Sequence, residues 1–423
     1  MLPRTAGREG ARRGQTLVIL GSLAAFGPLS MDTYLSALPA IGDDLDASAA
    51  SVQLTVTACL LGLASGQLVV GPLSDRLGRR RPLLVGLAAY TLASLLCAAA
   101  PTVWALIALR LAQGLCGAAG IVIARAIVRD LHEGVAAARA FGLILVVTGL
   151  APILAPVVGA GVLHVTSWRG IFVALAGAGA LIGLAAAVAL PESLPRARRR
   201  SDGLRRTLFV FGGLLRNRWF VGYGLASGFV FGAMFAYIAG SPFVLQDIYG
   251  VSPLGFGLLF GLNALGIIIA SILSSRLVGR VPPRSLLFVG LVQACAGAAL
   301  LVLAIVLDLG VVVVCAALFT TVSSVGLVSP NATALALADH PETAGSASAL
   351  LGLMQFVVGA LAAPLVGVAG AEDALPMAIT IAFLACAAVV QFVLLTRDRK
   401  GVPGHATAES RAARPEPERR SLR

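Results

Sequence analysis

The sequence predicts an all-α integral membrane protein whose twelve transmembrane helices form two six-helix bundles around a central cavity. Three observations lead there. Hydrophobic residues make up 58% of the chain and charged residues 12%, and the mean hydropathy is +0.92, a balance that would leave a soluble protein unable to wet its surface. Polar breaks divide the chain into apolar runs of about 20 residues, the length that crosses the hydrocarbon layer as a helix. The first half also recurs in the second: Leu73-Ser-Asp-Arg-Leu77 returns as Leu273-Ser-Ser-Arg-Leu277, and Leu83-Leu-Val-Gly-Leu87 is echoed by Leu286-Leu-Phe-Val-Gly-Leu291.

The predicted spans cover roughly 15–39, 50–71, 82–100, 102–128, 138–163 and 168–190, then 217–240, 253–275, 284–306, 309–332, 344–367 and 374–396. They divide the chain into a cytoplasmic amino-terminal segment (1–14), a first bundle (15–190), a cytoplasmic linker (191–216), a second bundle (217–396) and a cytoplasmic tail (397–423). The linker, with Pro191, Pro195 and its arginine run, reads as flexible. The polar tail reads as disordered.

A net charge of +12 raises the question of a nucleic-acid partner, and the positions of the basic residues answer it. They fall in short alternate loops: Arg4 to Arg13 before the first span, Arg76 to Arg81 after the second, eight arginines between Arg196 and Arg218, Arg276 to Arg284 after the eighth, and the tail. The loops around Asp43, Asp44 and Asp46, around Asp247, at Asp308 and at Glu372-Asp373 carry no Lys or Arg, and Arg169 is the lone basic residue on that side. Dispersed loop charges of this kind do not make one nucleic-acid-binding face. They set topology, and the positive-inside rule puts both termini in the cytoplasm. The first run exceeds a signal's length and precedes eleven more, so it reads as uncleaved. All six cysteines lie in predicted spans, which implies no disulfide framework.

Charges inside the spans point to function, because ionisable groups in hydrocarbon are costly and usually mark ion or substrate paths. Asp32 lies about eight residues from the outer end of helix 1 and Arg110 about eight from the outer start of helix 4, which places both roughly 12 Å deep and permits an interaction across the cavity. A carboxylate so placed can exchange a proton as its hydration and neighbouring charge change with the side to which the cavity opens. It can equally serve as a static link between helices 1 and 4. Arg110 reads as a fixed cation that orients helix 4, or as a substrate contact, with Gln113 on its face. The Gly114, Gly117 and Gly120 stripe permits close helix approach. Helix 5 holds Gly149, Pro152, Pro156 and Gly159, and its prolines predict a bend.

These residues resemble a known family over about 15–396. Gly71-x-x-x-Asp75-Arg76-x-Gly78-Arg79-Arg80 is similar to the first motif of the major facilitator superfamily, and Arg110-x-x-Gln113-Gly114 to its second. Gly149-x-x-Pro152-x-x-Ala155-Pro156-x-x-Gly159 resembles its antiporter motif, with Ala155 where glycine is frequent. Met31-Asp32-Thr-Tyr34, Arg125-Ala-Ile-Val-Arg129-Asp130, Trp168-Arg-x-Ile-Phe172 and Ser241-Pro-Phe-Val-Leu-Gln246 resemble the drug:proton antiporters of the bicyclomycin/chloramphenicol-resistance (Bcr/CflA) family. The resemblance implies the major facilitator fold, alternating access by rocking bundles, and a cytoplasmic gate built from Gly71, Asp75, Arg76, Gly78, Arg79 and Asp130. Ser275 stands where Asp75 does in the first half, so the second-half latch should be weaker or absent.

The cavity should be apolar with a few polar positions, for which the candidates are Phe26, Tyr34, Gln53, Gln113, Phe235, Tyr237, Asn263 and Gln355. The expected partners are a small molecule, protons and the lipid bilayer, with no cofactor, no metal and a monomeric state. One charge crossing 100 mV gains about 2.3 kcal/mol, and a tenfold proton gradient adds about 1.4 kcal/mol. One proton can therefore drive a neutral solute uphill. Proton-coupled drug efflux from the cell membrane is the favoured reading, a carrier for a specific metabolite such as an amino acid the alternative. The four histidines are scattered, and no His-Glu-x-x-His, Cys/His cluster or based serine nucleophile points to an enzyme.

Overall fold

The computed structural model describes residues 15–131, 134–199, 203–340, 343–367 and 373–396; the expected amino-terminal segment and the tail lie outside them. The described residues are helical almost throughout. Eleven helices are long and apolar enough to cross a membrane, and a bent pair at the start makes twelve.

That first span comprises α1 (Gln15–Ala24), α2 (Phe26–Asp32), a 3₁₀ turn (Leu35–Ala37) and α3 (Leu38–Asp44), with a 42° bend at Ala25. Its prolines account for both breaks. Pro28 cannot donate to the carbonyl of Ala24 and Pro39 cannot donate to that of Leu35, so the helical ladder fails where each ring falls. The remaining first-half spans are α4 (Ala49–Leu77), α5 (Arg80–Ala98), α6 (Val103–Leu131), α7 (Gly134–Val165) and α8 (Trp168–Ala189). α9 (Gly203–Leu215) stands between the halves, so the stretch expected to be a flexible linker contains a helix. Its buried Phe211 and Leu214 explain this, because they join the core that also holds Phe220 and Tyr223.

The second half contains α10 (Arg218–Phe243), continued by a π turn to Ile248, α11 (Pro253–Leu277), α12 (Pro283–Val306), α13 (Val311–Ser323) with α14 (Val325–Leu337), α15 (Ala344–Ala362) with a 3₁₀ turn (Ala363–Gly367), and α16 (Leu375–Thr396). Side-chain caps start several of them. Ser48 Oγ accepts from Ser51 N–H, Asn217 Oδ1 from the N–H groups of Trp219 and Phe220, and Ser252 Oγ from Gly255 N–H.

α4 and α6 form the most intimate pair in the first half. A side chain at Gly114 would strike the carbonyl of Cys59, and one at Gly62 the carbonyl of Leu111, so glycine lets the two backbones touch. α7 continues as one helix through Pro152 and Pro156. Its proline face forms the seam with α11, where Gly257 and Gly261 approach the carbonyls of Pro156 and Ile153.

The two halves meet at the acid-rich ends of their spans. The Leu35–Ala37 turn touches α10 and α11, α3 touches α10, and the Ala363–Gly367 turn touches α4. Phe235 to Leu245 of α10 are all buried as a result.

Candidate functional site

Arg110 lies wholly buried on α6 and organises the polar interior of the first half. Its Nη1 donates to the Ser30 carbonyl at 3.0 Å and to Gln113 Oε1 at 2.5 Å, and Gln113 Nε2 passes the chain to Ser94 Oγ at 2.7 Å. Ser30 Oγ meets Tyr90 Oη at 2.6 Å, and Phe26 packs edge-on to Tyr90 at 4.6 Å between ring centroids. The guanidinium lies 4.0 Å above the Tyr34 ring and 5.6 Å from that of Phe172, so aromatic faces stand in for a carboxylate. Tyr34 is fixed in turn by Thr55 Oγ1 at 3.1 Å.

This interior is polar and incompletely satisfied. Arg110 Nε and Nη2, Gln53 Oε1, Thr57 Oγ1 and Ser36 Oγ are buried without a hydrogen-bond partner in the protein. Buried polar atoms are almost always partnered, and a group of exceptions marks a place where water or ligand belongs.

Asp32 makes neither an ion pair nor a hydrogen bond among the described residues, although it is only 7% exposed. The interaction with Arg110 that their matched depth permits is therefore absent from this arrangement. The physical reason lies in the break of the first span: Asp32 is the last residue of α2, and Arg110 has already been taken up by Ser30, Gln113 and Tyr34. The Leu35–Ala37 turn that follows Asp32 touches α10 and α11, so this break of the first span lies against the other half. One residue after Asp32, Thr33 turns its carbonyl against Gly159 of α7 so closely that any side chain there would overlap it.

In the second half, Asn263 Nδ2 donates to Tyr237 Oη at 2.8 Å, and Tyr237 stacks on Phe260 at 5.6 Å. Gln355 Nε2 donates to Ser227 Oγ at 2.7 Å, and Phe235 lies against Phe231 at 5.0 Å. Asn263 also lines a cavity of about 260 Å³ with Leu245, Leu259, Leu262, Cys315 and Phe319; the other seven cavity candidates do not line it.

A second cluster occupies the arginine-rich face. Gly78 ends α4 at φ +94°, a left-handed turn that glycine accepts, and brings Arg79 back over the helix end. Arg79 is buried and donates Nη1 to Asp75 Oδ1 at 2.5 Å and to Ser74 Oγ at 2.8 Å, and Nε to Asp130 Oδ2 at 2.9 Å. Burial works against its charge, but the two carboxylates more than offset that and hold the guanidinium more basic than usual. Arg76 is exposed, and Gly71 sits in α4 beside Pro72. The corresponding turn of the second half carries arginines but no acid: Ser274 Oγ accepts from Asn331 Nδ2 at 2.7 Å, and no ion pair forms there among the described residues.

The major facilitator superfamily profile matches residues 20–364. The chain belongs to the major facilitator superfamily. It is 40% identical over 403 residues to the uncharacterized MFS-type transporter YdgK of Bacillus subtilis (95% of this chain, 99% of the relative). It is 32% identical over 384 residues to a bicyclomycin resistance protein homolog of Haemophilus influenzae (90% and 96%), and 34% identical over 292 residues to a chloramphenicol resistance protein of Pseudomonas aeruginosa (68% and 67%). These relatives group it with the Bcr/CflA family. A bacterial homolog of the human lysosomal transporter Spinster shares its fold, with a TM-score of 0.75 at 17% identity over 91% of this chain and 97% of that one.

On this superfamily scaffold the sequence missed the anchors of the arginine-face cluster. Glu192, just after α8, accepts from the backbone N–H groups of Arg79 at 2.7 Å, Arg80 at 3.3 Å and Leu194 at 3.1 Å, and so caps α5 from a distant segment. Partial burial opposes its ionisation, yet these three donors and the nearby Arg199 hold the carboxyl below the usual glutamate range. Ser193 Oγ donates to Asp130 Oδ2 at 2.9 Å, while Arg80 donates to the carbonyls of Leu190 and Ala187 at the end of α8. A lone acid placed directly before an arginine run was the available signal. On the opposite face, the isolated Arg169 pairs with Asp44, to which Trp168 Nε1 also donates at 3.1 Å.

Proposed function

We propose that this superfamily member is a proton-coupled exporter of apolar, drug-like small molecules, which it exchanges for protons by alternating access across the cell membrane. The observation that carries the reading is Asp32, a buried carboxylate without an ion pair among the described residues at the break of the first span, just before the turn that touches the second half. An ionisable group in that position binds or releases its proton as the facing half moves and water enters or leaves. Arg110 supplies a fixed positive field, and its unpartnered Nε and Nη2, with Gln53 and Thr57, offer the polar anchors of an otherwise apolar site. The resistance proteins among the relatives support antibiotics as the substrate class.

In the cycle this implies, the halves pivot along the α7–α11 seam, and the Asp75–Arg79–Asp130 latch keeps the arginine-rich end of the first half rigid while they do so. Both termini face the cytoplasm, and the single chain is the working unit. The test uses energised inverted vesicles with a pH-sensitive dye and a panel of neutral antibiotics. Substrate-evoked collapse of the gradient in the native protein, lost in Asp32→Asn, is the expected result. A panel without effect, alongside a saturable response to one amino acid or nutrient, would replace efflux by metabolite transport; a native-like Asp32→Asn would remove Asp32 from the coupling.

A further inference from the structure

The cavity of about 260 Å³ that Asn263 lines lies between α11 and α13. Leu262 and Asn263 of α11 form one wall, Cys315, Ala316 and Phe319 of α13 the other, and Leu245 of the π turn completes it. A glycine closes one side. A methyl group on Gly266, one turn beyond Asn263, would strike the Phe319 ring, so that ring packs on bare backbone there.

The burial pattern shows which way the cavity opens. On α11, Leu258, Leu262, Leu265 and Ile269 are exposed and fall on one helical stripe, away from Phe260 and Asn263, which hold Tyr237 of α10. At this end of the molecule the halves are in contact, so the stripe meets hydrocarbon rather than a central aqueous space. Leu262 and the exposed Ala316 stand at the mouth, which therefore faces the bilayer. Cys315 and Asn263 lie four and ten residues into their spans, or about 6 and about 15 Å deep at 1.5 Å per residue. Both depths fall within one leaflet of a hydrocarbon layer about 30 Å thick.

Asn263 gives the cavity its chemistry. The residue is only 6% exposed, and its Nδ2 is taken by Tyr237 Oη, while its Oδ1 accepts no hydrogen bond among the described residues. A nearly buried carbonyl oxygen without a donor is an exception that marks where a donor belongs. The bilayer core has no water to supply one, and acyl chains carry none. The apolar walls exclude a charge, and a volume just under the roughly 300–1,000 Å³ of drug-sized sites suits a single substituted ring.

We infer that this cavity is a second binding site, filled from the bilayer by a neutral one-ring molecule with a single hydrogen-bond donor, of which an alkylphenol is the type. Tyr237 lies in the stretch of α10 buried where the halves meet, so an occupant bonded to Asn263 bears on that contact whatever solute is carried.

The test needs no transport. Full-length protein in lipid nanodiscs is irradiated with a diazirine-bearing alkylphenol, and the labelled residues are mapped by mass spectrometry. Label should concentrate on the cavity walls, saturate with probe and fall with excess unlabelled alkylphenol. The O-methyl ether of that competitor keeps its shape but has no donor, and should compete about fivefold less well, the effect of one net hydrogen bond. Asn263→Leu should erase this difference. Ala316→Leu fills the mouth from an exposed position, where the fold tolerates it, and should abolish the saturable label. Label spread without saturation along the exposed faces of all spans, equal competition by phenol and ether, or undiminished label in Ala316→Leu would overturn the inference. Cavity label from a diazirine-bearing acyl lipid that the alkylphenol fails to displace would do so too, because an acyl chain would then be the occupant.

Discussion

Replacing Asp130 by asparagine tests whether the arginine-face cluster is held by buried charge or merely decorated with it. Arg79 is buried, so removing a charge from its surroundings leaves a guanidinium that water cannot easily reach. The two carboxylates on it are not equivalent. Asp130 is 16% exposed and also holds Ser193, whereas Asp75 is 49% exposed. Stripping a partner from a fully buried pair costs about 3–5 kcal/mol, and an exposed pair contributes at most about 1 kcal/mol. With Asp75 still present and an amide left at the site, Asp130→Asn should cost about 2 kcal/mol. Asp75→Asn should cost about 0.5 kcal/mol. On the scale of large domains the first corresponds to a drop of about 4 °C in the thermal midpoint. The assay is loss of the monodisperse peak in detergent after stepwise heating, run on both variants and the double variant. The reasoning fails if Asp75→Asn destabilises as much as Asp130→Asn, or if the two effects simply add, because both act on one guanidinium and must couple.

Three further expectations follow from named contacts. Gly159→Ala pushes a methyl group into the Thr33 carbonyl beside Asp32, so it should lower stability by about 1–3 kcal/mol and abolish transport even where protein remains folded; a fully active, equally stable variant would show that the α7 contact yields freely. Glu192 has a lowered folded-state pKa, so its contribution is complete above the ordinary glutamate value of about 4.3 and disappears as pH falls through the folded value. Thermal midpoints of native protein and Glu192→Gln should thus differ at pH 7 and converge as the pH is lowered below the ordinary glutamate range, and a gap independent of pH would argue against the cap. Tyr34→Leu removes the ring beneath Arg110 and should cost about 2 kcal/mol or more in the same heating assay, while Tyr34→Phe keeps the ring and should cost about 1 kcal/mol or less; equal losses would assign the effect to the hydroxyl.

The sequence by itself determined the class, the spans and the two-fold repeat, because hydrocarbon imposes on every spanning segment a length and an apolarity that local composition displays. It also determined the Gly78 turn and the charges around it, since a left-handed glycine between Arg76 and Arg79 is a local constraint. Tertiary structure decided which polar groups meet. Asp32 and Arg110 have matching depth, but depth along an axis says nothing about helix rotation or about competitors, and Ser30, Gln113 and Tyr34 were nearer to the guanidinium. Where the helical ladder breaks was decided in the same way: all these prolines remove the same backbone hydrogen bond, yet α7 continues as a helix through Pro152 and Pro156 packed along α11, while the first span breaks around Pro28 and Pro39. Glu192 became a helix cap, and the linker a helix, through contacts with segments roughly a hundred or more residues away, and no local pattern encodes a partner at that distance.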